Sequence, residues 1–192
     1  MHTIIFATNN EHKIKEIQSL VGSDFTIITL EQAGIDIDIP EPHDTLQENA
    51  YEKAITIENM TQQNCFSEDT GLEIEALNGE PGVKSARYAG ETRNFQANID
   101  KVLEKLEGIT NRKAQFRTVI CLLWNKEVFY FEGICKGTIA ETMHGKEGFG
   151  YDPIFIPEGA SKSFAEMTME EKNKFSHRQK AVTQLFTFLH SI

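Results

Sequence analysis

The chain has 192 residues, enough to bury a substantial core, and this length predicts one domain over residues 1–192. Its formal net charge of −10 argues against nucleic acid as a partner, because such binding requires a basic face that displaces counterions from phosphates. No apolar stretch approaches the roughly 18 residues that a membrane span requires, so no membrane partner is expected.

The first residues predict the start of an α/β unit. A β-branched, apolar run from about Thr3 to Thr8 predicts a strand. It is followed by apolar residues at helical spacing, namely Ile14, Ile17, Leu20 and Val21. Phe25 to Leu30 predicts a second strand. The order strand, turn, helix, strand is typical of an α/β unit.

Two features of the sequence predict a cytoplasmic protein. The first strand begins without the basic region, long apolar region and cleavage site of a signal peptide. The three cysteines, Cys65, Cys121 and Cys135, form an odd set without a CxxC pair. They are therefore expected to be buried free thiols in a reducing compartment.

The central part of the chain predicts a helix followed by two strands. Asp44 to Gln47 resembles a helix start, in which a capping side chain precedes Gln by three residues, and the helix is expected to run to about Gln63. A short strand is predicted around Cys65 to Glu68. Leu72 to Ala76 alternates in polarity as a half-buried strand does.

The remaining elements complete a mixed α/β chain with an elongated sheet. A helix is predicted near Asn94 to Leu106, and two β-rich runs joined by Asn125-Lys126 predict a hairpin at Ala114 to Trp124 and Glu127 to Lys136. Thr168 to Glu171 has a capping-box pattern. The last helix carries a buried stripe formed by Ala181, Val182, Leu185, Phe186 and Leu189.

The segment from Thr8 to Lys13 is a candidate phosphate site. It lies where a strand gives way to a helix, and helix N-terminal amides favour an anion. Thr8, Asn10 and Lys13 add hydroxyl, amide and ammonium donors. An ordinary polar turn is the alternative.

Acidic residues form a second candidate site. Glu41 lies in a Pro-Glu-Pro loop, and Glu68-Asp69 is expected to end a strand. Mg²⁺ binds in proteins through a few carboxylates together with substrate phosphates and water. Such acids can also orient or deprotonate a water molecule. A solvated turn is the alternative.

Two further segments suggest recognition of a base and of phosphates. Gly145 to Pro153 is glycine-rich and contains two aromatic residues able to stack on a base, with Asp152 able to bond the base edge. Lys172 to Arg178 is basic and precedes the last helix. A glycine-rich turn and a charged helix face are the respective alternatives.

Short blocks in a fixed order identify a family that these sites resemble. The blocks are Thr8-x-Asn10-x-x-Lys13, Glu48-Asn49-Ala50 with Lys53, Glu68-Asp69-Thr70-Gly71-Leu72, Pro81-Gly82 with Ser85-Ala86-Arg87-Tyr88, Phe149-Gly150-Tyr151-Asp152-Pro153 and Ser176-His177-Arg178. Together they cover nearly the whole chain. The chain resembles the inosine/xanthosine triphosphate pyrophosphatases.

This resemblance implies an elongated α/β fold whose sheet is split into two lobes with the nucleotide cleft between them, and a homodimer. It implies hydrolysis of purine nucleoside triphosphates such as ITP, dITP and XTP to a monophosphate and pyrophosphate, with Mg²⁺. Asp69 would be the general base, and Glu41 and Asp69 would bind the metal ion. The implied substrate contacts are Thr8, Asn9, Asn10, Glu11, His12, Lys13, Lys53, Thr70, Phe149, Gly150, Tyr151, Asp152, Lys172, His177 and Arg178.

The chain departs from the family pattern at two places. Asn9 stands where many members have Gly, and Glu68-Asp69-Thr70 replaces the Asp-Asp-Ser of many bacterial members, which keeps the charge and the hydroxyl. Two other functions remain open. One is a nucleotide-binding regulatory module without hydrolysis, although binding alone does not require the acids. The other is a pyrophosphatase for modified pyrimidine triphosphates, although the Phe149 to Asp152 and Ser176 to Arg178 blocks favour purines.

Overall fold

The computed structural model describes residues 2–20 and 25–192. The predicted apolar position Val21 lies outside these residues. The chain divides into two compact units. Unit 1 comprises residues 1–69, 118–133 and 178–192, and unit 2 comprises residues 70–117 and 134–177.

The elements alternate between strands and helices. The strands are β1 (His2–Phe6), β2 (Phe25–Thr29), β3 (Cys65–Ile74), β4 (Pro81–Gly82), β5 (Lys113–Trp124), β6 (Glu127–Ile139) and β7 (Phe155–Pro157). The helices are α1 (Glu11–Gln18), α2 (Leu46–Thr61), α3 (Phe95–Lys105), α4 (Met169–Asn173) and α5 (His177–Leu189). The strand order is β2-β1-β3-β5-β6-β7, with β4 paired to β3.

The sheet is mixed, which confirms the predicted α/β class. β1 pairs in parallel with β2 and β3, whereas β4 is antiparallel to β3 and β7 is antiparallel to β6. The first two strands and α1 form the predicted α/β unit. None of the helices within residues 2–20 and 25–192 combines the length and the hydropathy needed to span a bilayer.

Unit 1 has a hydrophobic core on each face of its sheet. Successive side chains of a strand point to opposite faces, so Ile4 and Phe6 pack with α1 and α5 residues while Ile5 and Ala7 pack with α2 residues. Because the inner strands are covered on both faces, their sequences read as continuous apolar runs. The three cysteines are buried free thiols, as predicted.

Two sequence predictions, for β3 and for the start of α2, are wrong in detail. β3 is one continuous strand rather than two strands separated by a turn, so Glu68 and Asp69 lie inside it. Gly71 is required there by close packing, because a Cβ atom at this position would lie 2.6 Å from the Gly82 carbonyl oxygen. The N-cap of α2 is Thr45 rather than Asp44, and its hydroxyl accepts a hydrogen bond from the Glu48 amide.

Unit 2 packs one face of its sheet on a single core that includes Leu72, Phe116, Phe155 and Phe164. The predicted α3 is confirmed, and the structure shows Asn94 as its N-cap. The two long strands joined at Asn125-Lys126 are also confirmed. Both residues of that turn have positive φ, as a two-residue hairpin turn requires. The predicted capping box between Thr168 and Glu171 is also present.

Candidate active site

Unit 1 holds a buried cluster of charged side chains, here called the carboxylate cluster. Four acids are bound to three cations, which leaves an excess of one negative charge. The acids are Glu16, Glu41, Glu68 and Asp69, and the cations are Lys13, Lys53 and Arg178.

β3 separates this cluster into two halves. Glu68 and Asp69 are consecutive residues of one strand, so their side chains point to opposite faces of the sheet. Glu68 contacts side chains of α1 and α5, whereas Asp69 contacts α2. Two adjacent acids therefore have different partners.

Arg178 holds the Glu68 half in place. Its Nε and Nη2 atoms donate to the two carboxylate oxygens of Glu68, each at 3.1 Å, and its Nη1 donates to Glu16. Lys13 Nζ lies 3.0 Å from Glu68 Oε1. Burial alone would raise the pKa of Glu68, but Arg178 and Lys13 outweigh it and hold this pKa well below its usual range. Glu68 is therefore a permanent carboxylate.

Asp69 has the opposite character. Lys53 Nζ donates to Asp69 Oδ1 at 3.1 Å and to Glu41 Oε1 at 2.5 Å. The second oxygen of Asp69, Oδ2, is buried and accepts no hydrogen bond from the described residues. Burial raises the pKa of Asp69, and Lys53 and Lys13 only partly offset this effect. Asp69 is thus a buried carboxylate with an open coordination position and increased basicity.

Lys53 stays protonated between these two acids. Burial disfavours its ammonium form, but the charges of Asp69 and Glu41 outweigh burial and raise its pKa. α2 carries this side chain to the sheet, and Thr45 fixes the start of that helix. The structure therefore brings Glu41, Lys53 and Asp69 together.

The segment from Thr8 to Lys13 is placed at the start of α1. Asn10 is the N-cap, and its side-chain oxygen accepts from the amides of His12 and Lys13. The Thr8 hydroxyl accepts from the Asn10 amide at 3.2 Å. Asn9 donates to the Ile37 carbonyl at 2.7 Å, so this side chain fixes a neighbouring loop. Glu11 and His12 are exposed.

Unit 2 contains a second set of candidate residues around one buried ion pair. Lys172 Nζ donates to Asp152 Oδ2 at 2.7 Å, and both side chains are almost fully buried. The same oxygen accepts from the Phe149 amide at 2.9 Å. Lys172 Nζ also lies 5.4 Å from the centre of the Phe149 ring. This group of Phe149, Asp152 and Lys172 is here called the aromatic site.

The other predicted contacts of unit 2 differ in exposure. His177 is buried and stacks on Phe116, with ring centres 4.7 Å apart. Tyr151 is also buried and donates its hydroxyl proton to the Ser85 carbonyl at 2.8 Å. Thr70 and Gly150 are half-buried, and Gly150 has a φ of +60° that favours glycine.

A sequence profile of the Ham1 family matches residues 4–188. The chain belongs to the Ham1 family. A dITP/XTP pyrophosphatase from Porphyromonas gingivalis is 52% identical over 190 residues, covering 98% of each chain. One from Flavobacterium johnsoniae is 50% identical over 186 residues, covering 97% of each chain.

Solved structures of Ham1 proteins have the same fold. The Coxiella burnetii HAM1 protein is 38% identical with a TM-score of 0.91, and the alignment covers 100% of each chain. The Staphylococcus aureus Ham1 protein is 39% identical with a TM-score of 0.89, covering 98% of each chain. The family and the fold expected from the sequence are confirmed.

Glu16 was missed by the sequence reasoning about this Ham1 chain. It is 4% exposed and completes the surroundings of Arg178. Glu16 lies three residues after Lys13, and residues i and i+3 of a helix are neighbours, so the spacing indicated that Glu16 lies near this candidate site residue. Glu16 also directly precedes Ile17, which belongs to the apolar stripe of α1, and this position indicated that Glu16 lies close to the buried side of the helix. Neither signal identifies Arg178 as the partner.

The donor set around Asp69 fits Mg²⁺ in this Ham1 protein. Asp69 Oδ2 is an unsatisfied hard oxygen, and the Glu41 carboxylate binds the same Lys53 ammonium as Asp69. Lys53 already shows that a cation is stable at this position. Within residues 2–20 and 25–192 there is no group of three or more His, Cys, Asp or Glu side chains arranged around a metal position. Substrate phosphates and water would supply the other ligands.

Proposed function

We propose that the protein hydrolyses non-standard purine nucleoside triphosphates, namely ITP, dITP and XTP, to the nucleoside monophosphate and pyrophosphate. Relatives that are about half identical over nearly the whole chain are named dITP/XTP pyrophosphatases. The observation that carries the proposal is Asp69, a buried carboxylate of raised pKa with one open oxygen. A protein that only binds nucleotides has no need of such a group.

Asp69 would act as the general base. Water attacks the α-phosphorus, its oxygen forms a bond to that phosphorus, and its proton passes to the Asp69 carboxylate. The bond from the α-phosphorus to the bridging oxygen breaks, and pyrophosphate leaves with the electron pair. The raised pKa of Asp69 improves its match to a base that operates near neutral pH.

Glu41 and Asp69 would hold Mg²⁺. When bound there, Mg²⁺ supplies a Lewis acid for the phosphoryl oxygens and lowers the pKa of a coordinated water. Lys53 binds both carboxylates and so holds them aligned at the site.

Cations of unit 1 would bind the phosphate chain. Lys13 is partly exposed and is held by Glu68. Arg178 immobilises Glu68 and is itself bound by Glu16. A cation fixed in this way reduces the reorganisation needed when charge develops in the transition state. Thr8 and Asn10 position the start of the helix that carries Lys13.

The aromatic site would recognise the purine. Phe149 is half-buried and offers a ring for stacking, while Asp152 and Lys172 anchor its backbone and ring. Selection of a 6-oxo purine over adenine follows if donors such as Lys172 and His177 face that oxygen. An amino group there would leave buried donors unpaired, and such a mismatch costs more than a missing apolar contact.

The turnover of a panel of nucleoside triphosphates with Mg²⁺ tests this proposal. We expect ITP, dITP and XTP to be cleaved faster than ATP, GTP and the pyrimidine triphosphates. A single turnover in ¹⁸O-labelled water is expected to place the label in the monophosphate and none in pyrophosphate. Orthophosphate as the first product, in a preparation free of inorganic pyrophosphatase, would contradict attack at the α-phosphorus. The homodimer and the cytoplasmic location stay predictions.

A further inference from the structure

An exposed phenylalanine lies beside the ring that we assign to the purine. Phe95 is the first residue of α3, and its side chain is 38% exposed although it is large and apolar. Its ring centre is 6.2 Å from that of Phe149, with an angle of 51° between the planes. This distance and tilt lie within the range in which aromatic pairs attract each other. Phe95 was not among the candidate site residues that the sequence indicated.

The first turn of α3 contacts the same loop at a second point. The Gln96 side-chain amide lies 3.3 Å from the sulfur of Met143, which belongs to the segment that leads to Phe149. Asn94 caps the helix by accepting from the Ala97 amide at 3.0 Å. The start of α3 is therefore a fixed platform with two contacts to the loop.

Phe149 is restrained on its other sides by different groups. Asp152 accepts from its backbone amide, and the Lys172 ammonium lies over its ring. These contacts fix the backbone and attract the ring, but an ammonium over a ring face does not set the rotation of the ring about its side-chain bonds. A tilted neighbouring ring restricts that rotation sterically.

We propose that Phe95 is a positioning residue for Phe149, which holds that ring at the angle needed to stack on the purine. The proposal rests on the function proposed above and deepens it. Burial does not explain Phe95, because more than a third of its side chain stays in contact with solvent. Its role would be to lower the entropy lost by Phe149 when the base binds, since a preorganised ring costs less to order.

The test measures kcat and KM for ITP in Phe95→Ala, Phe95→Tyr, Phe149→Ala and the Phe95→Ala/Phe149→Ala double variant. We expect Phe95→Ala to raise KM about three- to tenfold, the size of one aromatic pair, and to change kcat less than about twofold. Phe95→Tyr keeps the ring and should retain the wild-type KM. In the Phe149→Ala background, Phe95→Ala should have little further effect because its role passes through Phe149.

Inorganic tripolyphosphate separates positioning from a general structural effect. It has no base, so its inhibition constant should be unchanged in Phe95→Ala. Val128→Ala, which shortens a similarly exposed apolar side chain in unit 1, is the matched control and should leave KM unchanged.

Equal weakening of ITP binding and tripolyphosphate binding would contradict the proposal, as would additive effects of Phe95→Ala and Phe149→Ala. If Phe149→Ala itself leaves KM for ITP unchanged, the proposed purine site is wrong. If only Phe95→Ala leaves KM unchanged, the inference alone fails.

Discussion

The two units place buried charge in different ways. In unit 1 the carboxylate cluster has more acids than cations, and one oxygen of Asp69 has no partner among the described residues. In unit 2 the aromatic site has one acid matched to one cation, Asp152 and Lys172, surrounded by aromatic rings. An uncompensated buried carboxylate favours reaction chemistry, whereas a matched pair favours rigid shape. The comparison predicts that substitutions in unit 1 change kcat or stability and that those in unit 2 change selectivity.

Asp69→Asn is expected to have the largest effect. We expect kcat for ITP to fall about 10²- to 10⁴-fold, because the variant lacks a general base. The variant should stay folded, because Asn has the size of Asp and Glu41 still pairs with Lys53. Steady-state kinetics and thermal unfolding of the same sample check both expectations. Turnover near the wild-type level would remove Asp69 from the mechanism.

Glu68→Gln is expected to reduce stability most strongly. It removes Glu68 from the fully buried Arg178, which keeps Glu16 as a partner, and breaking a buried ion pair in this way costs about 3–5 kcal/mol. Urea unfolding gives the free energy of unfolding. Glu132→Gln on β6, where the side chain is exposed, is the matched control and should have no measurable effect. An equal effect of the two substitutions would show that the Arg178 contacts contribute nothing to stability.

The stabilising effect of Glu68 should depend on pH. The pKa of Glu68 in the folded protein lies well below the ordinary value of 4.5, so its contribution is complete above that pH. It is lost as the pH falls from the unfolded-state pKa towards the folded-state pKa. The difference in unfolding free energy between the wild type and Glu68→Gln should therefore be constant above about pH 5 and shrink below about pH 4.5. A difference that grows on acidification would reverse the assigned direction.

His177→Ala should affect selectivity rather than the chemical step. We expect the ratio of kcat/KM for ITP over ATP to fall about tenfold, the value of one hydrogen bond in a buried pocket. His177→Phe keeps the ring that stacks on Phe116 but removes both nitrogens, so it separates packing from recognition. If His177→Phe retains the wild-type ratio, the imidazole has a packing role only.

Thr45→Ala should have the smallest effect and should be confined to stability. The loss of the N-cap of α2 costs about 1 kcal/mol of unfolding free energy. Because Lys53 lies two turns further along that helix, kcat for ITP should stay within about twofold of the wild type. Asp44→Ala is the matched control and should leave the unfolding free energy unchanged, since Asp44 is not the cap. A larger loss for Asp44→Ala would contradict the assignment of the cap.

The sequence was sufficient for the elements and for the family. Hydrophobic periodicity predicted α3, the last helix and the β5 and β6 strands, because these patterns follow from local geometry. The order of short blocks from Thr8 to Arg178 predicted the family, since the spacing of functional residues is a property of the chain itself. Local rules failed in the middle of β3, where Glu68 to Gly71 have the composition of a turn although they are part of a strand that is mostly buried.

Only the tertiary structure decided which charges meet. Arg178 was predicted to recognise substrate, but its guanidinium is 2% exposed and is bound by Glu68 and Glu16, which are 110 and 162 residues away in sequence. The contrast between a permanently ionised Glu68 and a more basic Asp69 likewise depends on which face of β3 each side chain occupies and on which cation lies there. Electrostatic energy depends on separation in space and on burial, and neither quantity is contained in the spacing of residues along a chain.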